Sequence, residues 1–374
     1  MQASSASVEA QGRHPGSGER GVEPDLREVL MARRDATATP ASVAALTPAG
    51  GATDAARPAT TIVVLTWNGT ADTVACLRSV CPQLGTEDRI LVVDNGSTDD
   101  VEAAILPIDP RIEFVSNGRN LGFAGGNNVG LRSALAGNAE WVFVLNNDTV
   151  LDPGTLDALV RGAEALRRSC PAIAVVQPVL VRATAPDVID SCGQQLGRLP
   201  SAQDLAAGRP VASLPNEPVE IFGTCGAATL VHREALRAAG LFDEALFVLF
   251  EDTDLAFRLR ASGHRAALLP AVRVRHRRGV SAGTRRGSAA RLRTFWVQRN
   301  LVTLALRWWP VGALLCAAPV LAWRALQALL LRRGPCLPLW SQSLSERRQS
   351  RRRLRAADGD AWFGAAFREL GSRR

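Results

Sequence analysis

The sequence predicts an α/β fold, a mostly parallel central sheet with helices on both faces, followed by a C-terminal helical region. Three observations lead there. From residue 61 short apolar runs alternate with helical patterns, the order expected when each crossover between parallel strands is a helix. Four successive runs end in clusters of Asn, Asp, Ser, Thr, Gly or Arg, placing polar groups along the sheet edge where α/β proteins hold ligands. With 374 residues and 47% hydrophobic content, the chain can bury a core of the size such a sheet needs.

Residues 1–59 are rich in Ala, Gly, Ser, Thr and Pro, lack lasting periodicity and read as a disordered extension. "TIVVLTWN" opens the first strand, 61–66, and a helix follows over about 70–80. Next come strand 89–93, a helix over about 99–105, strand 111–115, a helix over about 127–137 and strand 141–145. "IFGTCGAATLVHREAL" (221–236) reads as strand, turn, strand and helix. "LFEDTDLAFRLRASG" (249–263) reads as a helix from Glu251 to a stop at Gly263, and "AVRVRH" as a strand ending at His276. These elements divide the chain into an extension 1–59, an α/β unit 60–280 and a basic, Trp/Arg-rich helical region 281–374. There is no internal repeat.

The seven cysteines are scattered, odd in number and free of CxxC pairs, which argues against a disulfide framework or a structural zinc site and for a reduced compartment. No charged N-terminal segment leads into an apolar run, so no secretory signal is expected, and the protein is expected in the cytoplasm. All 44 basic residues are Arg, and they are unevenly spread. Residues 264–374 hold 23 Arg against four acids, whereas residues 1–263 hold 21 Arg against 32 acids. The C-terminal third therefore favours an anionic surface, membrane headgroups or nucleic acid.

The strand ends carry the chemistry. They are "TWNG" after the first strand, "VVDNGSTDD" (92–100), "NGRNLGFAGGNN" (117–128) and "NNDT" (146–149). A nucleotide pocket there would use Asp94 for base or ribose, Arg119 for phosphate, and Gly122, Gly125 and Gly126 for close backbone approach. A dinucleotide-binding oxidoreductase is excluded by order. That fold places GxGxxG after its first strand and an acid about 20 residues later, whereas here Asp94 precedes the glycines.

"VVLTWNGTADTVACLRSV", "VVDNGSTDD", "NLGFAGGNNVG", "LNNDT", "GLFDEALFVLFEDTDLAFRLRASGHR" and "VRVRH" resemble, in order, the blocks of a family 2 glycosyltransferase with the GT-A fold, a nucleotide-diphosphosugar transferase fold. The subset they are most similar to is the bacterial rhamnosyltransferase-like group that builds surface polysaccharides. The match runs from about 60 to about 310. One departure is "FVLFED", where the family pattern has a Tyr before the acids, which bears on a substrate-shaping contact.

The resemblance implies roles. "NND" stands where the family has a DxD-like motif, so Asp148 would ligate Mg²⁺ or Mn²⁺, and His276 would complete the metal site. A divalent cation neutralises the charge that develops on a leaving diphosphate while drawing most of its oxygen ligands from substrate and water. The implied donor contacts are Thr66, Asn68, Asp94, Ser97, Arg119 and Asn120. Gly122, Asn127, Asn146, Asn147, Thr224 and Gly226 complete that set, with Arg277 and Arg278 as candidate phosphate contacts. The acids of "FED" match the pair that supplies the general base of inverting transferases. Asp252 would take the proton from the acceptor hydroxyl, and Glu251 would orient acceptor or base. Acids in a first helical turn also serve as plain caps, which is the alternative for all three of Glu251, Asp252 and Asp254. Cys225 is expected to pack, not to attack, and His232 and His264 to be structural.

The expected partners are a nucleotide-diphosphate sugar, carrying L-rhamnose by resemblance, and a glycan acceptor, lipid-linked. A second reading is a degenerate GT-A fold that only binds membrane or nucleic acid. Convergence of Asp148, Asp252 and His276 separates the two. "WWPVGALLCAAPVLAW" (308–323) is 16 residues without a charge, short of the ~20 that span a bilayer. Six of the eight tryptophans lie between 296 and 362 among Arg clusters such as "RRQSRRRLR". Residues 295–355 are therefore expected to form helices peripheral to the inner face of the membrane, with no nucleic acid bound. The alternative is that these helices pack as core.

Overall fold

A computed structural model describes residues 57–197, 200–278, 287–331 and 334–358. The expected disorder of 1–59 falls, up to residue 56, outside the described residues, as does Trp362. The first half runs β1 (Thr60–Thr66), α1 (Thr70–Val80), β2 (Arg89–Asp94), α2 (Val101–Ile105), β3 (Ile112–Ser116), α3 (Gly122–Ala136), β4 (Trp141–Asn146), β5 (Thr149–Leu151) and α4 (Thr155–Ser169). Then come β6 (Ile173–Arg182), β7 (Ala185–Ser191), β8 (Gln194–Leu196), β9 (Ala202–Asp204), β10 (Val219–Ile221), β11 (Ala228–His232), α5 (Arg233–Ala239), α6 (Glu251–Ala261) and β12 (Arg265–His276). The C-terminal block is α7 (Ser288–Trp308), α8 (Val311–Cys316), α9 (Ala318–Leu331) and α10 (Leu337–Asp358).

One ten-stranded sheet follows the order β10-β12-β6-β11-β4-β1-β2-β3, with β5 added to β12 and β7 to β6. The half β3-β2-β1-β4 is parallel, as expected. The other half is mixed: β12 runs parallel to β6, whereas β11 runs antiparallel to both β4 and β6, and β7 antiparallel to β6. Parallel neighbours need a crossover of a dozen residues or more, and the connection between β6 and β7 is far shorter. β8 and β9 form a separate hairpin.

Alternate residues of β1 feed two cores. Ile62 and Val64 pack with Leu77 and Val80 of α1 and with Leu156, Leu159 and Val160 of α4. Val63 packs on the opposite face with Leu131 of α3, Leu236 of α5 and Leu255 of α6. Burial on both faces is why the strand is apolar without alternation. The apolar positions 156, 159, 160, 163 and 166 of α4 form a single stripe, and the helix ends at Cys170, before Pro171 disfavours a further helical residue.

Helix α3 begins at Gly122, five residues before the expected start, so the glycine-rich segment is helix and not loop. A Cβ on Gly126 would lie 2.6 Å from Leu65, and one on Gly130 would lie 2.4 Å from Val63. The glycines let α3 lie close on β1, and their low helical propensity hides the helix from a pattern reading.

The C-terminal segment is helical, as expected, but its aromatics are placed otherwise. Trp308, Trp309 and Trp340 are buried, and Trp296 stacks on Phe247 with ring centroids 4.7 Å apart. Phe257 of α6 stacks on Trp308 at 5.0 Å. Among the described tryptophans of this block Trp323 alone is exposed, at 58%. Part of the Arg cluster is also structural. Arg347 donates to the carbonyls of Leu306 and Trp309, and Arg351 to that of Trp308, capping the C-terminal end of α7. Four rings and two guanidiniums of this block thus hold helices together, while Trp323 and part of the Arg cluster stay on its surface.

Candidate active site

β4 ends at Asn146, the chain turns through Asn147 and Asp148, and β5 leaves to pair antiparallel with β12, setting Thr149 opposite His276. That register brings Asp148 and His276 together. His276 Nε2 lies 3.2 Å from Asp148 Oδ1, and Nδ1 lies 2.7 Å from Oδ2 of Asp190. Asp190 comes from the end of β7 and was not expected from sequence. Its other oxygen pairs with Arg278 Nε at 2.5 Å, and Arg278 also reaches Asp204 at 3.1 Å. Burial alone would lower the His276 pKa, but its bonds to Asp148 and Asp190 override that and raise it to about 9. Burial works against the Asp190 carboxylate as well, yet His276 and Arg278 hold it below the usual range. Arg277 pairs with Asp72 at 2.7 Å, so both arginines singled out for phosphate are engaged by carboxylates.

The acids at the start of α6 divide into three environments. Asp252 is partly exposed. Its carboxylate accepts from the backbone N–H of Gly226 at 3.0 Å and of Thr253 at 2.7 Å, and from the Gln194 side chain. Burial raises its pKa, against those three donors. Glu251 is 5% exposed, and its Oε2 has no hydrogen-bond partner among the described residues. Burial, with the Asp252 charge beside it, pushes its pKa well above the usual carboxylate value. Asp254 is fully buried and accepts from Arg258 at 2.7 Å, Arg307 at 3.0 Å and Trp308 at 2.8 Å. It joins α6 to α7, and of the three acids it alone is spent on structure.

The two clusters meet along the turn 226–228. Asn146 donates its N–H to the Ala227 carbonyl while Gly226 donates to Asp252, so the strand leading to Asp148 and the helix carrying Asp252 share one turn. A Cβ on Gly226 would lie 3.1 Å from the Phe123 ring, so a larger residue there would have to displace that ring. Thr224 Oγ1 accepts from Thr229 Oγ1 at 3.0 Å and is buried beneath this turn.

The remaining expected donor residues form a ring of loops. Asn68 accepts from the Thr98 N–H at 2.7 Å and its own N–H donates to Ser97 Oγ at 2.9 Å, linking the first two strand ends. Asp94 accepts from Ser97 N–H and Ser116 Oγ. Asn95, missed in the sequence, ties the second end to the third: its amide donates to Asn120 and to the Gly122 carbonyl and accepts from Asn117 and the Leu121 N–H. Arg119 is exposed and makes no ion pair among the described residues. Thr66 and Asn127 are buried, and Asn127 donates back to the Phe123 carbonyl within α3. Asn147 turns its Nδ2 toward Thr73 at 3.0 Å. His232 caps α5 by accepting from Glu234 N–H, and burial pushes the Cys225 thiol well up, in keeping with a packing residue.

Residues 61–239 match the family described as Glycosyl transferase family 2. Over 213 residues the chain is 30% identical to N-acetylglucosaminyl-diphospho-decaprenol L-rhamnosyltransferase of Mycobacterium tuberculosis, a match covering 52% of this chain and 68% of that protein. The chain belongs to glycosyl transferase family 2. This family 2 glycosyltransferase is also 27% identical over 240 residues to the O-antigen biosynthesis protein RfbC of Myxococcus xanthus, of which it covers 17%. Among solved structures, GalNAc-T7 with UDP, GalNAc and Mn2+ superposes with a TM-score of 0.62 at 14% identity, over 86% of this chain and 58% of that one. The chain spans less than two thirds of that structure, and the likeness bears out the GT-A fold. The enzymatic reading thus holds over the pure binding scaffold.

Proposed function

We propose that the protein is an inverting, metal-dependent transferase that moves L-rhamnose from a nucleotide-diphosphate donor to a lipid-linked glycan in cell-surface polysaccharide synthesis. The observation that carries this is the convergence of Asp148 and His276 on one point, with Asp252 presented on the neighbouring turn. The donor set fits Mg²⁺ or Mn²⁺. Among the described residues no group of three acidic, His or Cys side chains is arranged to hold a metal unaided, and these ions characteristically take remaining ligands from substrate phosphate and water. Asp190 would fix the ring so that Nε2 faces the ion, the carboxylate–histidine arrangement common to metal sites. The bound cation would offset charge on the departing diphosphate. Asp252 takes the proton of the attacking hydroxyl, while Asp94, Ser97 and Arg119 hold the nucleotide. Rhamnose and the lipid-linked acceptor rest on the mycobacterial relative's own name. The test is release of nucleoside diphosphate from a panel of sugar nucleotides with Mg²⁺ or Mn²⁺. Turnover fastest with dTDP-L-rhamnose is expected, and a clear preference for another sugar would overturn the donor assignment.

The acceptor reading brings a membrane with it. No helix among the described residues is long and apolar enough to cross one. However, among the described residues nine of the thirteen large exposed apolar side chains fall between 311 and 344, which concentrates exposed apolar surface in this block. Val320, Trp323, Leu326, Leu329 and Leu330 of α9 are all exposed, and Arg348, Arg352, Arg353 and Arg355 of α10 are exposed cations. Together they suit an anionic leaflet. In liposome flotation the full chain should float with anionic vesicles and less so at high salt, and replacing Trp323, Leu326 and Leu330 together by Ser should leave it at the bottom. Equal flotation of that variant would remove α9 from the contact.

A further inference from the structure

The segment just before Glu251 and Asp252 holds an uncommon backbone. Phe247 has φ 64° and ψ −66°, and the Val248 N–H donates to the Leu246 carbonyl at 2.8 Å, which closes a γ-turn of the rare, strained hand. Leu249 and Phe250 follow with φ 70° and 71°. Three non-glycine residues of four therefore sit at positive φ, a conformation that persists only where the surroundings over-determine it.

The turn touches both sides of the site. The Phe247 carbonyl accepts from the Ala124 N–H at 3.0 Å, in the first turn of α3, and a Cβ on Gly122 would lie 2.4 Å from that carbonyl. Phe250 immediately precedes α6, with Asp252 two residues on. Any relaxation of the turn would shift the helix that carries Asp252.

What holds the turn comes from α7, some fifty residues later in the chain. Asn300 is fully buried, and its Nδ2 lies 2.9, 3.0 and 2.7 Å from the carbonyls of Leu246, Val248 and Leu249. Three acceptors facing one amide end require that this end be the nitrogen. Its Oδ1 accepts from Arg299 Nε at 2.9 Å, and the same guanidinium donates to the Ala245 carbonyl. Arg299 therefore fixes the amide's orientation, and Trp296 stacks on the Phe247 ring to close the assembly.

We infer that Asn300, oriented by Arg299, is a positioning residue for Asp252: it holds the strained 246–250 turn so that the base meets the acceptor hydroxyl. The inference rests on the reading of Asp252 as the general base. It gives the C-terminal block a role in the chemistry besides any contact with a membrane, because the helix that buries Trp308 also clamps the turn ahead of the base.

The test is a double-mutant cycle on the full chain. Asn300→Ser replaces the amide by a shorter hydroxyl with a single hydrogen, which cannot serve the three carbonyls and no longer presents the amide oxygen to Arg299. It should lower kcat ~10-fold or more with the donor KM near wild type, since misplacement of a reacting group by about 1 Å is enough for losses of that order. Combined with Asp252→Asn it should add little, because the aligned group is already gone. Additive losses in kcat, or a loss confined to donor KM, would overturn the inference. If Asp252→Asn alone keeps full activity, the base assignment fails instead, and the two failures are distinct. Should Asn300→Ser not fold, Arg299→Lys, which keeps the charge but not the fork that orients the amide, gives the same readout.

Discussion

Asp252→Asn is expected to lower turnover ~10²-fold or more, the usual contribution of a general base, with donor affinity and Tm near wild type. The substitution keeps the shape and an oxygen acceptor for the Thr253 or Gly226 N–H while removing the basic oxygen. The effect has a pH signature. Burial raises the Asp252 pKa, and a base works only when ionised, so the wild-type rate should fall as pH drops through a value shifted up from that of an ordinary aspartate. In the variant this acid limb should vanish. Asp254→Asn supplies the contrast. Its carboxylate is fully buried among Arg258, Arg307 and Trp308, and removing one member of such a cluster costs about 3 kcal/mol of stability. Stability losses at 254 and turnover losses at 252 would separate structure from chemistry on one helical turn. Full turnover in Asp252→Asn would move the base elsewhere.

The parallel half of the fold was legible because its signals are local. β1 to β4 are apolar runs bounded by polar clusters, and their ends project to one edge whatever the loops do between. The pairing of Asp148 with His276 was legible through the family resemblance. What fixes it physically is the antiparallel register of β5 on β12, which brings together residues 128 positions apart. Asp190, Gln194 and Asn95 were not legible. Each is a single polar residue in an unremarkable context, and its role exists only through partners from distant elements, His276, Asp252 and the third strand end.

The packing of the C-terminal third was not legible for a different reason. Trp and Arg carry the same composition signal whether they face lipid or core, since both have a large apolar body and a polar tip. Trp308 is buried with its indole N–H on Asp254, and Arg351 is buried on the Trp308 carbonyl. In each case a partner made burial possible, and that partner lay outside any local window. Arg299 and Asn300 were passed over likewise, because nothing in "QRN" announces a turn fifty residues upstream.

The metal edge is the centre of the account, and Asp148→Ala tests it most directly through donor binding. Calorimetric titration of the wild type with dTDP should show tighter binding in Mn²⁺ than in EDTA, because on the proposed reading Asp148 and His276 would hold the ion and substrate would supply further oxygen ligands. In Asp148→Ala that difference should disappear, leaving only the weak binding seen without metal. If the wild type binds the diphosphate equally with and without Mn²⁺, or if Asp148→Ala keeps the full metal-dependent gain, the assignment of this edge is wrong.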